Sequence, residues 1–110
     1  MRVYIAGPYT EGDVAVNVAN AIKAGTQVLD AGHTPFIPHL THFWHMLFPH
    51  EYHTWIAYDN VWVMVCDALI RLPGESSGAD GEVRLASQVH IPVFYSVEEF
   101  LKYVSGQGAT

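Results

Sequence analysis

The chain has 110 residues, 50% hydrophobic and 15% charged, with a formal net charge of −6 when its histidines are neutral. An acidic chain lacks the electrostatic footprint for a polymeric nucleic-acid backbone, though a single nucleoside or nucleotide still fits. One cysteine, Cys66, rules out an internal disulfide framework, and no apolar run is long enough to span a bilayer.

In chain order, Arg2 to Ala6 is a short apolar run closed by Gly7-Pro8, which reads as a buried first strand and a loop. Asp13 is placed as an N-cap. Val14, Val18, Ala21, Ile22, Gly25, Val28 and Leu29 then recur at helical spacing, and Gly32 stands where a C′ glycine belongs. Thr34 to Pro38 is a second strand whose two prolines predict a sheet edge, since proline donates nothing to a ladder. His39 to His53 is dense in histidine and aromatic residues. It predicts a short helix over Thr41 to Leu47, a break at Pro49, and a longer helix over Thr54 to Val65.

Asp67 to Leu72 reads as a third strand, with Cys66 at its start as a small buried hydrophobe. The Gly/Ser-rich stretch Pro73 to Gly78 joins it to a helix over Ala79 to Val89. Ile91 to Tyr95 is a fourth strand, Val97 to Val104 a closing helix, and residues 105–110 a frayed tail. Strands alternating with helices predict one α/β domain over residues 1–110. A parallel sheet of four or five strands would carry helices on both faces, with right-handed crossovers. The low charge density predicts a homo-oligomer. No signal-peptide pattern is present, which predicts a cytoplasmic protein.

Two carboxylates stand out. Glu82 follows the glycine-rich loop at a strand end, where open α/β sheets bind ligands. Placed near a helix N-terminus it would be kept ionised by the helix dipole, which suits a nucleophile. Local capping is the competing reading of the loop: Ser77-Gly78-Ala79-Asp80 has capping-box character, with Ser77 as cap and Asp80 reaching back. Asp59 lies on an apolar helix face with Trp55, Ile56, Trp62 and Val63 three or four residues away. A buried acid there needs a partner, either a loop N–H or a ligand. A pair of carboxylates at a crevice suits chemistry at an acetal-like sugar carbon.

The histidines step by three at His39, His42 and His45, and again at His50 and His53. Steps of three drift around a helix, so a shared zinc ion is the weaker reading and a neutral wall for a planar heterocycle the stronger. His39, directly after a strand end, is the best single candidate in it. Tyr4 reads locally as a core aromatic that gains interest only if its hydroxyl reaches the crevice. Neither a dinucleotide nor a triphosphate fingerprint is present.

Together Tyr4-Ile5-Ala6-Gly7-Pro8, Asp59 eight residues before Asp67, and Ser76-x-Gly78-x-x-x-Glu82-x-x-x-Ala86 resemble the nucleoside 2-deoxyribosyltransferase superfamily, which includes deoxynucleoside-monophosphate N-glycosidases. The resemblance runs from Arg2 to about Leu101. It implies a flavodoxin-like, Rossmann-like sheet, a homodimer or larger assembly, no metal or organic cofactor, and cleavage or transfer of the bond between a base and a (deoxy)ribose. It implies Glu82 as nucleophile, Asp59 as the carboxylate on the sugar and Tyr4 as an active-site tyrosine. Gly7, Pro8, His39, Ser76 and Gly78 are the expected substrate contacts, Gly78 through its backbone.

Two departures accompany the resemblance. Ser76 stands where the transferases carry an acid, with Glu75 beside it. Pro8 and Thr10 stand where the nucleotide hydrolases carry a phosphate-binding Ser-x-Arg. The transferases also draw on a neighbouring C-terminus, for which the tail here has no obvious match, only Gln107 and the terminal carboxylate. The alternatives are a non-catalytic nucleotide sensor and a histidine-ligated zinc hydrolase.

Overall fold

The computed structural model describes residues 1–108, with Ala109 and Thr110 outside the described residues. Four strands form one parallel sheet: β1 (Arg2–Ala6), β2 (Thr34–Phe36), β3 (Ala68–Arg71) and β4 (Val93–Phe94), in the order β2-β1-β3-β4. The helices are α1 (Val14–Asp30), α2 (Thr41–Leu47), α3 (Tyr52–Val65), α4 (Ser77–Gln88) and α5 (Val97–Gly108). A single 3₁₀ turn, Pro38–Leu40, leads from β2 into α2. The α/β architecture with helices on both faces is the one expected.

Alternation along β1 and β3 divides the core in two. Val3, Ile5, Ala68 and Ile70 face one way and pack with Ala21, Ala24 and Val28 of α1 and Phe100 of α5. Tyr4, Ala6 and Leu69 face the other way and pack with Val63 of α3, Cys66, and Ala79 and Ala86 of α4. Every residue from Val3 to Ala6 is fully buried, which is why β1 reads as a continuous apolar run. Burial also pushes the Cys66 thiol up to about 11, so it behaves as the inert hydrophobe expected.

Punctuation residues set the element ends. The Asp13 carboxylate accepts from the Val16 amide, and Gly32, at φ +92°, turns the chain out of α1. Pro35 sits opposite Val3 on the edge strand β2, as its missing N–H requires. Several expected bounds move, among them the helix expected over Ala79 to Val89, which runs from Ser77 to Gln88. Pro38 opens the 3₁₀ turn instead of ending the strand, and Pro92 delays β4 to Val93. The helix expected from Thr54 begins two residues earlier, at Tyr52. The tail is not frayed from Ser105, because α5 continues to Gly108. Among the described residues no helix is long and apolar enough to cross a membrane.

The sheet order reverses between β1 and β3. From β1 the chain crosses to β2 on one side, and β3 then leads to β4 on the other. The carboxyl ends of β1 and β3 therefore diverge into a crevice. Gly7 fits closely there: a Cβ would stand 3.1 Å from Leu72 Cβ across the two strand ends, tighter than an ordinary contact.

Phe100 is fully buried between His33 and Phe94, with ring centroids 5.1 and 5.7 Å away. Phe100→Ala is expected to cost about 3–5 kcal/mol, read as a lower urea midpoint at unchanged slope.

Candidate active site

Glu82 is delivered by α4. Ser76 is the N-cap, its hydroxyl accepting from the Ala79 amide at 3.0 Å. Glu82 lies on the same helix face as Ala79 and Ala86, three residues before it and four after, so it turns toward the sheet and is only 7% exposed. From β1 the Tyr4 hydroxyl, itself buried, donates to Glu82 Oε2.

This corrects two expectations. Glu82 stands in the second turn of α4, beyond the reach of the helix dipole, and the first-turn acid is Asp80. Asp80 does not close a capping box. It takes the Arg71 guanidinium at 2.9 Å, while Arg71 also donates to the Leu72 carbonyl. Burial therefore governs Glu82 and pushes its carboxyl up to about 7. The Tyr4 hydrogen bond pulls the other way, the nearby Asp59 pushes it further up, and Arg71 lowers it. The Tyr4 hydroxyl is held well above its ordinary value by burial, and then by the charges of Glu82 and Asp59.

Asp59 comes from α3 and meets Glu82 over one cavity of about 330 Å³, within the size range of small-molecule sites. Asp59 Oδ1 is buried with no hydrogen-bond partner among the described residues. Burial pushes this carboxyl up to about 7. No loop N–H satisfies it. Trp55 shares the cavity with Asp59, whereas Trp62 turns away to stack on Phe36 at 4.8 Å between centroids.

Of the remaining expected contacts, Gly7, His39, Ser76 and Gly78 line the cavity. Pro8 does not. Its carbonyl accepts from His39 Nε2 at 3.0 Å, and its ring lies against Gly74, where a Cβ would come within 2.8 Å. The tight turn of the loop belongs to Gly74, at φ +113°, while Gly78 is helical. Tyr4 reaches the site through Glu82 instead of lining it. His39 is 4% exposed, and burial lowers its basicity. Its Nε2–H donates to the Gly7 and Pro8 carbonyls, which leaves Nδ1 bare.

The other histidines disperse. His42 bonds the Tyr9 hydroxyl, His45 accepts from the Trp55 indole, His50 bonds the Phe48 carbonyl, and His53 pairs with Glu51. Among the described residues no three His, Cys, Asp or Glu side chains gather as metal ligands. His45, His50 and Trp55 instead form one wall of the cavity. Tyr9, Glu11 and Tyr52 also line the cavity, outside the motifs named above. Tyr9 and Glu11 follow the end of β1, where the strand-end rule reaches them. Tyr52 begins α3, and its hydroxyl stands 3.6 Å from where a Gly78 Cβ would lie, a purely tertiary contact. The side chain of Gln107 and the terminal carboxylate lie outside the described residues.

Two ionisable carboxyls, one held by a phenol and the other unpaired, facing a cavity with an aromatic wall define a site able to engage a polyol beside a planar ring. In fold the chain is similar to a 2-deoxyribosyltransferase from the psychrotolerant bacterium Bacillus psychrosaccharolyticus. The TM-score is 0.63 at 18% identity, over 84% of this chain and 69% of that one. Its sequence places it in a family: residues 1–96 match the model described as Domain of unknown function (DUF7768), and the chain belongs to that family. A search of curated proteins finds no match.

The unpaired Asp59 carries a sign-definite consequence. Its folded value lies above the ordinary carboxylate value, so ionising it costs stability. That cost grows as pH rises from about 4 to about 7 and is constant above. Asp59→Asn is expected to raise the thermal midpoint by several degrees at pH 8 and by little at pH 4, checked by calorimetry at both.

Proposed function

We propose that the protein cleaves or transfers the N-glycosidic bond of a nucleoside through a covalent glycosyl–enzyme intermediate. The observation that carries this reading is the convergence of Glu82 and Asp59 on one cavity, with Tyr4 bonded to Glu82. The similarity of the fold to a deoxyribosyltransferase supports it.

In this reading an ionised Glu82 oxygen attacks the anomeric carbon. The carbon–nitrogen bond breaks, its electron pair leaves with the base, and the base takes a proton. Water or a second base then displaces Glu82 from the glycosyl ester. The transition state is cationic at the sugar carbon, and the two carboxylates stabilise it. Asp59 holds a sugar hydroxyl, which supplies the partner its buried oxygen lacks. Tyr4 orients Glu82 and favours its charged form. Gly7, Ser76 and Gly78 border the sugar, and His39 stands beside the base. The chemistry needs neither metal nor organic cofactor.

Among the described residues the cavity lining includes Glu11, Asp59 and Glu82 and no lysine or arginine. A phosphate dianion would be desolvated there without a cationic partner. The lining thus favours a nucleoside over its 5′-monophosphate. A homo-oligomer fits the same reading, since Phe43, Met46, Leu47 and Phe48 on and beside α2 stand more than half exposed.

Chromatography of a nucleoside and nucleotide panel, with and without an acceptor base, is expected to show free base from nucleosides at least tenfold faster than from 5′-monophosphates. Glu82→Ala is expected to lose about 10³-fold or more of that activity while its circular dichroism stays native. Binding without base release by the native protein would make it a sensor instead. The nucleophile must be ionised, and its carboxyl sits at about 7, so the rate is expected to rise with pH through that value. Tyr4→Phe, which removes the donor favouring the charge, is expected to move that limb to higher pH.

A further inference from the structure

His45 is placed by two donors. The Trp55 indole Nε1–H reaches His45 Nδ1 at 2.9 Å, and the His50 backbone amide reaches the same atom at 3.2 Å. Indole and amide N–H groups only donate, so Nδ1 must carry its lone pair. A neutral imidazole then has its one proton on Nε2. That Nε2–H takes no partner among the described residues, and His45 lines the cavity with Asp59 and Glu82.

The indole is itself well braced. Trp55 meets the rings of Trp44, His50 and Tyr58 edge-on, at 5.1, 5.3 and 5.9 Å between centroids. The donor direction is thus set before any ligand arrives.

Base departure places negative charge on the heterocycle, and the position six residues before Glu82 holds Ser76, not an acid. Ser76 Oγ is engaged as the α4 cap. We propose that His45 Nε2–H is the group that hydrogen-bonds a ring-nitrogen or carbonyl acceptor of the nucleobase, with Trp55 as the positioning residue that fixes its tautomer. This rests on the glycosidic reading above and assigns its base-facing donor. Protonating His45 would break both bonds at Nδ1, so it gives a hydrogen bond and keeps its proton. The proton that the base acquires comes from elsewhere, solvent included.

The test has two arms. Nitrogen-15 shifts of the free protein are expected to show His45 protonated at Nε2, and Trp55→Phe to yield a mixture of tautomers. Calorimetry with 2′-deoxyadenosine, 2′-deoxyguanosine, 2′-deoxycytidine and thymidine, on a Glu82→Gln background that prevents turnover, reads the second arm. Any of the four that binds is expected to lose about tenfold in affinity with His45→Phe. His45→Gln, whose amide N–H substitutes for Nε2–H, is expected to recover most of the loss. A His45 proton on Nδ1, or equal affinities with and without the His45 donor, would overturn the assignment. Binding of none of the four, with the tautomer as described, would overturn the glycosidic reading and this assignment with it.

Discussion

The hydrogen bond from Tyr4 to Glu82 is the constraint around which the site is organised. It joins the sheet's inner strand β1 to the face of α4 that packs on it, in a region where both groups are buried. A carboxyl in such a place is pushed toward its neutral form by lost hydration, and a donor directed at one oxygen opposes that push. Burial wins in the free protein, leaving Glu82 at about 7. The phenol nonetheless holds the carboxyl to one orientation, so α4 cannot turn or slide along the sheet without breaking a buried polar contact.

The surrounding parts complement that pairing. Divergence of the chain on either side of β1 and β3 opens the crevice, and α3 crosses it carrying Asp59. Two acids near one cavity raise each other's cost of ionisation, and the Asp59 oxygen is left without a partner. A fold retains such a group at a cost in stability, which is the pattern expected where function competes with packing. In the same cavity, imidazoles and indole brace one another through edge-on contacts and form an aromatic wall. The acids and the aromatic side share one cavity.

Much of the fold was legible because its signals are local. The apolar run Arg2 to Ala6, the Asp13 cap, the Gly32 stop and the Pro49 break each act within a few residues. The bounds that moved lie beside prolines, at Pro38 and Pro92, or in helix end turns at Tyr52, Ser77 and Ser105, where few apolar residues mark the periodicity. Pro8 lies outside the cavity lining, since a strand-end position does not reveal which way a residue's ring turns. Capping was read one residue late, since Ser76 and Ser77 are chemically equal and only the backbone chooses between them.

The sequence by itself determined the α/β architecture, the edge position of β2 and the identity of the two acids, because periodicity, proline placement and charge on an apolar face are properties of the chain alone. Tertiary structure decided that Glu82 is governed by burial and not by the helix dipole. It also paired Asp80 with Arg71 and set the protons of His39 and His45. Those outcomes depend on which groups approach from other elements, and protonation energies are set by distance and desolvation, neither of which is encoded in spacing along the chain.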